Sequence, residues 1–336
     1  MSGEAYGYAV ARIRAMEPLL FDASAYQRIL DADGLDGALK VIGETSYARG
    51  MSGDDATERY DSALEAELLA TYREFQLFVP DGALIDIFRV PYDFHNVKVI
   101  LKSIFNSRSG GKKRWDLLTQ LGSIPTDDLI VKIESEEYVL LPYGLSQTIP
   151  ACVSVWDQTR DMVEVERLLD RGLFAAILNL AKSVDEPGVL KWAKARVDSE
   201  NIRNLLRLKR FGFDAAATTP FLHDGGSLDP MTLVSLLPEP YDSWSRMLSY
   251  SGIGAVLSGV QDDGNFDNLI VALEKALDDF CQSELENARY NSNSSENVLA
   301  YLWGKEMEVK NIRTILVSKG TDSNRDEVRR LMRHGY

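Results

Sequence analysis

Cysteine and histidine are both scarce in this chain, and neither is spaced for chemistry. There are two cysteines, Cys152 and Cys281, with no C-x-x-C pair, in 336 residues. That excludes a disulfide framework and a zinc ribbon, and it suits a reducing cytoplasm. The three histidines, His95, His223 and His334, include no pair four residues apart, so no helical metal-ligand pair exists. No run of 18 apolar residues occurs, so no bilayer span is expected. The opening stretch carries Arg12 and Arg14 among its apolar positions and is not read as a signal peptide. Net positive charge is absent too. The balance of 37 basic and 51 acidic residues leaves −14, which opposes binding to a phosphate backbone. It agrees with solubility and with a basic protein partner.

Phosphate-loop and dinucleotide signatures fail on inspection. Gly110-Gly111-Lys112-Lys113 has Asn106 where the first glycine belongs and Lys113 where Ser or Thr belongs. Gly252-Ile-Gly254 has Leu257 in place of the third glycine. The basic run Lys112-Lys113-Arg114-Trp115 reads as a solvated linker or a contact for an acidic partner. His223-Asp224-Gly225-Gly226 reads as a solvated loop. No cofactor, metal or catalytic set survives.

Most of the chain has helical periodicity. Leu64, Leu68, Tyr72, Phe75 and Phe78 recur at three- and four-residue steps, predicting a helix over 56–78. Similar stretches run near 24–45, 161–183, 186–210, 243–259, 266–287 and 295–318. Period-two alternation is short, as in Leu129-Ile130-Val131, so the expected class is all-α. Breakers fall at 107–111, 215–220, Gly225-Gly226 and 238–240.

Internal repetition organises the sequence. Three segments share the pattern acid-x-x-Asn-[Val/Ile]-[Lys/Arg]-x-[Ile/Leu]-Leu. They contribute Asp93, Asn96 and Lys98; Asp198, Asn201 and Arg203; and Glu308, Asn311 and Arg313. The asparagines are spaced by 105 (96 to 201) and 110 (201 to 311) residues. An acid-x-x-Leu-acid element precedes each segment: Asp61 to Glu65, Glu166 to Asp170, and Glu274 to Asp278. From its last acid to the asparagine there are 31 (65 to 96), 31 (170 to 201) and 33 (278 to 311) residues. Two patterns, in one order, at near-constant separation, three times, describe a triplicated unit.

That separation accommodates two antiparallel helices, with turn signals at Val79-Pro80-Asp81-Gly82, Asp185-Glu186-Pro187-Gly188 and Asn291 to Ser295. On the second helix the positions one, four and five after the asparagine are always apolar and form one buried face. The leading acid lies close to that stripe and needs a partner. A backbone amide, a basic side chain of the first helix and the neighbouring unit are all open. We read the Asn/basic/acid trio as structural, because no nucleophile or histidine accompanies it consistently. On that reading Arg313→Ala costs roughly 1–3 kcal/mol, provided the partner of Arg313 is partly buried.

The C-terminal segment Asn297-Val-Leu-Ala-Tyr301-Leu-Trp-Gly-Lys305-Glu306-Met-Glu308-Val-Lys-Asn311-Ile-Arg313-Thr-Ile315 closely resembles the signature of the C subunits of archaeal and bacterial A/V-type ATPases, the counterparts of the d subunit of eukaryotic V-ATPases. The opening Tyr8-Ala-Val-Ala-Arg12-Ile-Arg14-Ala-Met16-Glu17 also resembles that family's start. The second unit matches less well, with Arg196 where the third has Glu306. The resemblance implies three similar helical domains, 1–112, 113–216 and 217–336, in a funnel around a pseudo-threefold axis. It implies a non-catalytic rotor socket on the cytoplasmic face of the membrane, peripheral, between the D and F subunits of the central shaft and the proteolipid ring. A general helical-repeat scaffold is the alternative. Its repeats of roughly 20–50 residues fit the long spacing poorly.

Overall fold

The computed structural model describes residues 6–51, 56–108, 110–321 and 323–335. Residues 1–5 of the opening stretch and Ser109 of the first breaker lie outside the described residues. The chain is all-α, and no strand occurs among the described residues. An N-terminal group comprises α1 (Gly7–Met16), α2 (Ala23–Asp31) and α3 (Gly34–Ile42). Two long helices follow, α4 (Ala56–Gln76) and α5 (Ala83–Ser107), then α6 (Thr126–Glu134) and α7 (Leu145–Thr159). The second long pair is α8 (Met162–Ser183) and α9 (Pro187–Arg210). Short helices α10 (Ala215–Thr218), α11 (Pro230–Val234), α12 (Tyr241–Met247) and α13 (Gly252–Ser258) lead to the third pair, α14 (Phe266–Ser283) and α15 (Glu296–Gly320). The short α16 (Arg325–Leu331) ends the order.

Local chemistry explains most boundaries. Asp161 caps α8 by accepting from Val163 N–H at 2.8 Å. Asn265 caps α14 by accepting from Asp267 N–H at 2.9 Å. Pro187 opens α9, where a missing N–H costs nothing. Two predicted helices are each split in the structure. The 24–45 stretch breaks at Ala32-Asp33, before Gly34 takes a left-handed φ of 60°. The 243–259 stretch breaks at Ser251, whose hydroxyl caps α13. Leu129-Ile130-Val131, which alternates too briefly to define a strand, lies in α6.

The apolar face of each motif helix is buried: Val97, Ile100 and Leu101; Ile202, Leu205 and Leu206; Ile312, Ile315 and Leu316. The first and third triplets share one large core with α1–α4 and α6–α8. The second triplet belongs to a separate smaller core with Trp244, Leu273 and Leu277 of α12 and α14. Thus α9 spans both cores, its N-terminal half in one and its C-terminal half in the other.

Candidate functional site: a clasp used three times around a charged cavity

Each motif helix holds the loop that follows it. Asn96 accepts from Thr119 N–H at 3.0 Å and donates to Thr119 O at 2.9 Å. Asn201 does the same to the peptide groups of His223, at 2.7 and 2.9 Å. Asn311 does so to Arg333, at 2.8 and 3.0 Å. A side-chain amide matches one residue's N–H and C=O together, so both backbone groups of the loop residue are satisfied. All three asparagines are fully buried.

The leading acids also take backbone amides. Asp93 accepts from Ser123 N–H at 3.0 Å and Ile124 N–H at 2.9 Å. Asp198 accepts from Ser227 N–H at 2.9 Å and Leu228 N–H at 3.0 Å. Burial pushes the Asp93 carboxyl above its ordinary range and raises Asp198 to about 6, with the amide donors opposing the shift. The third acid takes its amide from a distant part of the chain. Glu308 instead accepts from Phe21 N–H at 2.5 Å, across 287 residues. It also accepts from the Tyr47 hydroxyl at 2.7 Å and pairs with the buried Lys305 at 2.8 Å. The segment of Phe21 and Tyr47 therefore supplies the third acid with the donors that following loops supply to the first two.

The basic residues join one unit to the next. Lys98 reaches Asp170 at 3.1 Å, Arg203 reaches Asp278 at 2.6 Å, and Arg313 reaches Asp61 at 2.7 Å. All three partners belong to the acid-x-x-Leu-acid elements. The order runs first unit to second, second to third, and third back to first. The three contacts differ in depth. Arg203 and Asp278 are 14% and 4% exposed at the side chain, whereas Arg313 and Asp61 are 46% and 61% exposed. The condition placed on the partner of Arg313 is thus not met, because Asp61 lies at the surface. Burial would raise the Asp278 carboxyl, but Arg203, Lys310 and Arg333 together hold it below its ordinary value.

Between the three motif helices opens a cavity of about 610 Å³. Its walls carry Tyr92 and His95 from α5, Arg196, Glu200, Arg203 and Arg207 from α9, and Glu306, Lys310 and Arg313 from α15, with acids of α4 and α14 between them. Glu306 accepts hydrogen bonds from the Tyr72 and Tyr92 hydroxyls, and burial raises its carboxyl pKa against those donors. Among the described residues, no group of three His, Cys, Asp or Glu could hold a metal ion.

Two other sequence features resolve locally. In the His223 loop Asp224 and Gly225 are exposed, as expected of a solvated loop, but His223 itself is buried, because Asn201 pins its backbone and Phe174 covers its ring at 4.4 Å. In the basic run, Lys113 pairs with Glu134 and Arg114 with Asp116 on the surface.

The family model described as ATP synthase (C/AC39) subunit matches residues 9–331. The chain belongs to the C/AC39 subunit family. Among similar proteins, the C subunit of the A-type ATP synthase of Methanosarcina barkeri is 27% identical, covering 94% of this chain and 89% of that one. Its counterpart in the A-type ATP synthase of Methanocaldococcus jannaschii is 24% identical over 97% and 86%, respectively. The C subunit of the V-type sodium ATPase of Enterococcus hirae is 23% identical over 96% and 97%. Membership in the C/AC39 family makes the chain a structural, non-catalytic component of a rotary A/V-type ATPase. No described helix of this C/AC39 protein is long and apolar enough to cross a membrane.

The sequence singled out the nine clasp residues, and the structure gives each a partner. It noted Arg196 and Glu306 only as a mismatch between the second and third units, and it did not connect Tyr72 and Tyr92 with them. The available signal was the unequal filling of one repeat position: five residues before each asparagine stand Pro91, Arg196 and Glu306.

Proposed function

We propose that this protein is the central-rotor socket of its ATPase. In this reading three similar helical lobes, with sequence units near 1–112, 113–216 and 217–336, stand around a pseudo-threefold axis as a funnel. The D and F subunits of the central shaft enter the cavity, the membrane proteolipid ring takes the rim, and the socket lies at the cytoplasmic face. It passes torque between ATP turnover and ion movement.

The observation that carries this reading is the cyclic order of Lys98–Asp170, Arg203–Asp278 and Arg313–Asp61. A linear scaffold has two ends, and its last unit has no reason to pair with its first. A ring of units around a polar cavity resists twisting because each seam is tied by charge and each following loop is clasped by a buried asparagine.

The test is co-purification of the full chain with its D–F heterodimer and with the detergent-solubilised proteolipid ring. The socket reading requires a stable complex with both. A well-folded monomer that binds neither would overturn it.

A further inference from the structure

Among the described residues of the cavity wall, Arg196 is a cation with no ion pair or hydrogen bond of its own, although its charge acts on the Glu306 carboxyl from beyond ion-pair distance. Arg203 and Lys310 share Asp278, Arg207 pairs with Glu274, and Arg313 pairs with Asp61. Arg196 makes no ion pair with any described carboxylate. Its guanidinium stacks over the Trp303 ring at 4.5 Å and the Trp192 ring at 5.5 Å, and those two rings meet edge to face at 5.6 Å. The two indoles hold the guanidinium by cation–π contact, and no described residue accepts a hydrogen bond from its N–H donors. Such a planar fork is preorganised for a carboxylate.

The repeat gives this residue a second meaning. Its equivalents in the first and third units are Pro91 and Glu306. Glu306 is held by the tyrosine hydroxyls and feels the Arg196 charge without a direct ion pair. One frame, used three times, therefore presents a neutral, a positive and a negative position to the same space.

We propose that Arg196 receives an acidic side chain at the end of the partner that enters the cavity. The inequality of Pro91, Arg196 and Glu306 then admits that partner in only one of three rotational registers. This inference rests on the socket reading. It adds which residue recognises the partner, which chemistry it recognises, and why a nearly threefold socket holds an asymmetric occupant in one orientation.

The experiment measures binding of the purified D–F heterodimer to the full chain by calorimetry, for wild type, R196K, R196M and R196E. Wild type should bind, R196M should bind at least about tenfold more weakly with an unchanged unfolding midpoint, and R196K should fall between them. R196M binding within about twofold of wild type overturns the proposal while leaving the socket reading intact. If wild type itself does not bind, the socket reading fails and takes this inference with it. A rescue arm guards against misfolding of a variant. Single lysine replacements of the acidic residues at the shaft's lower end are tested against R196E. Restored binding for one of them supports the pairing, and restoration by none overturns it.

Discussion

The carboxylate of Glu308 and the backbone N–H of Phe21 meet at 2.5 Å although 287 residues separate them. The corresponding contacts of the first two units, Asp93 to Ile124 and Asp198 to Leu228, span only 31 and 30 residues. The same bond is local twice and closes the chain on itself once. A glutamate stands at the third position, and its longer side chain also gathers the Tyr47 hydroxyl and Lys305. Closure of the fold is thus written into the same motif that builds each unit.

The acids leave no room beside them. A Cβ on Gly226 would lie 2.1 Å from Asp198 Oδ1, and one on Gly122 would lie 2.4 Å from Asp93 Oδ1. Gly226→Ala and Gly122→Ala should each cost about 2–3 kcal/mol, by displacing the carboxylate from its amide donors. Urea unfolding checks this, with Gly320→Ala, which meets nothing within 4 Å and, like the other two, has no left-handed φ, as the control. Equal losses at all three positions would rule out the steric account.

The seams should differ in strength although they share a motif. Asp278→Ala leaves Arg203, Lys310 and Arg333 without their common anion, and should cost about 3–5 kcal/mol. Arg313→Ala breaks a solvent-screened pair and should cost less than about 1 kcal/mol. Thermal unfolding of the two variants ranks them. A larger loss at Arg313 would mean the third seam is stiffer than its exposure allows.

The two buried aspartates should give opposite pH dependences. Asp198 is raised from 3.8 to about 6. The folded state therefore keeps a proton that the unfolded chain has lost, and stability falls as pH rises between about 4 and 6. Relative to Asp198→Asn, wild type should lose on the order of 3 kcal/mol across that window. Asp278 is lowered instead, so its contribution is present above the ordinary carboxyl pKa and is lost as pH falls below it. Denaturation of wild type, Asp198→Asn and Asp278→Asn from about pH 2 to 7 separates the two. The first variant should flatten the window between about 4 and 6 and the second the region below about 4.

The chain's last residues should matter more than a typical tail. Ending the chain after Leu331 removes the backbone that Asn311 clasps and the guanidinium that sits 3.0 Å from Asp278. A buried amide then has no partner and a buried acid loses one cation. The expected cost is about 3 kcal/mol or more, read by urea unfolding. A truncated chain of unchanged stability would show that the third clasp contributes nothing.

The long helices and the buried faces were legible in the sequence because their information is local. Val97, Ile100 and Leu101 declare one face of a helix by spacing alone. Splits such as the one before Gly34 were less legible, because a left-handed glycine and an apolar stripe coexist in one stretch without announcing which prevails. The nine motif residues stood out through repetition. Arg196 was legible only as a mismatch with Glu306, and its stacking on Trp192 and Trp303 came from the fold.

Residue order alone specifies an all-helical chain made of one unit used three times, with a buried acid in each copy that requires a partner. The identity of those partners came from the folded chain. The loop amides of Ile124 and Leu228 belong to the same stretch of chain as their acids, and that of Phe21 lies at the far end. Periodicity fixes which way a side chain faces on its own helix. What it meets depends on the path of the rest of the chain, and that path is set by packing and closure between residues hundreds of positions apart.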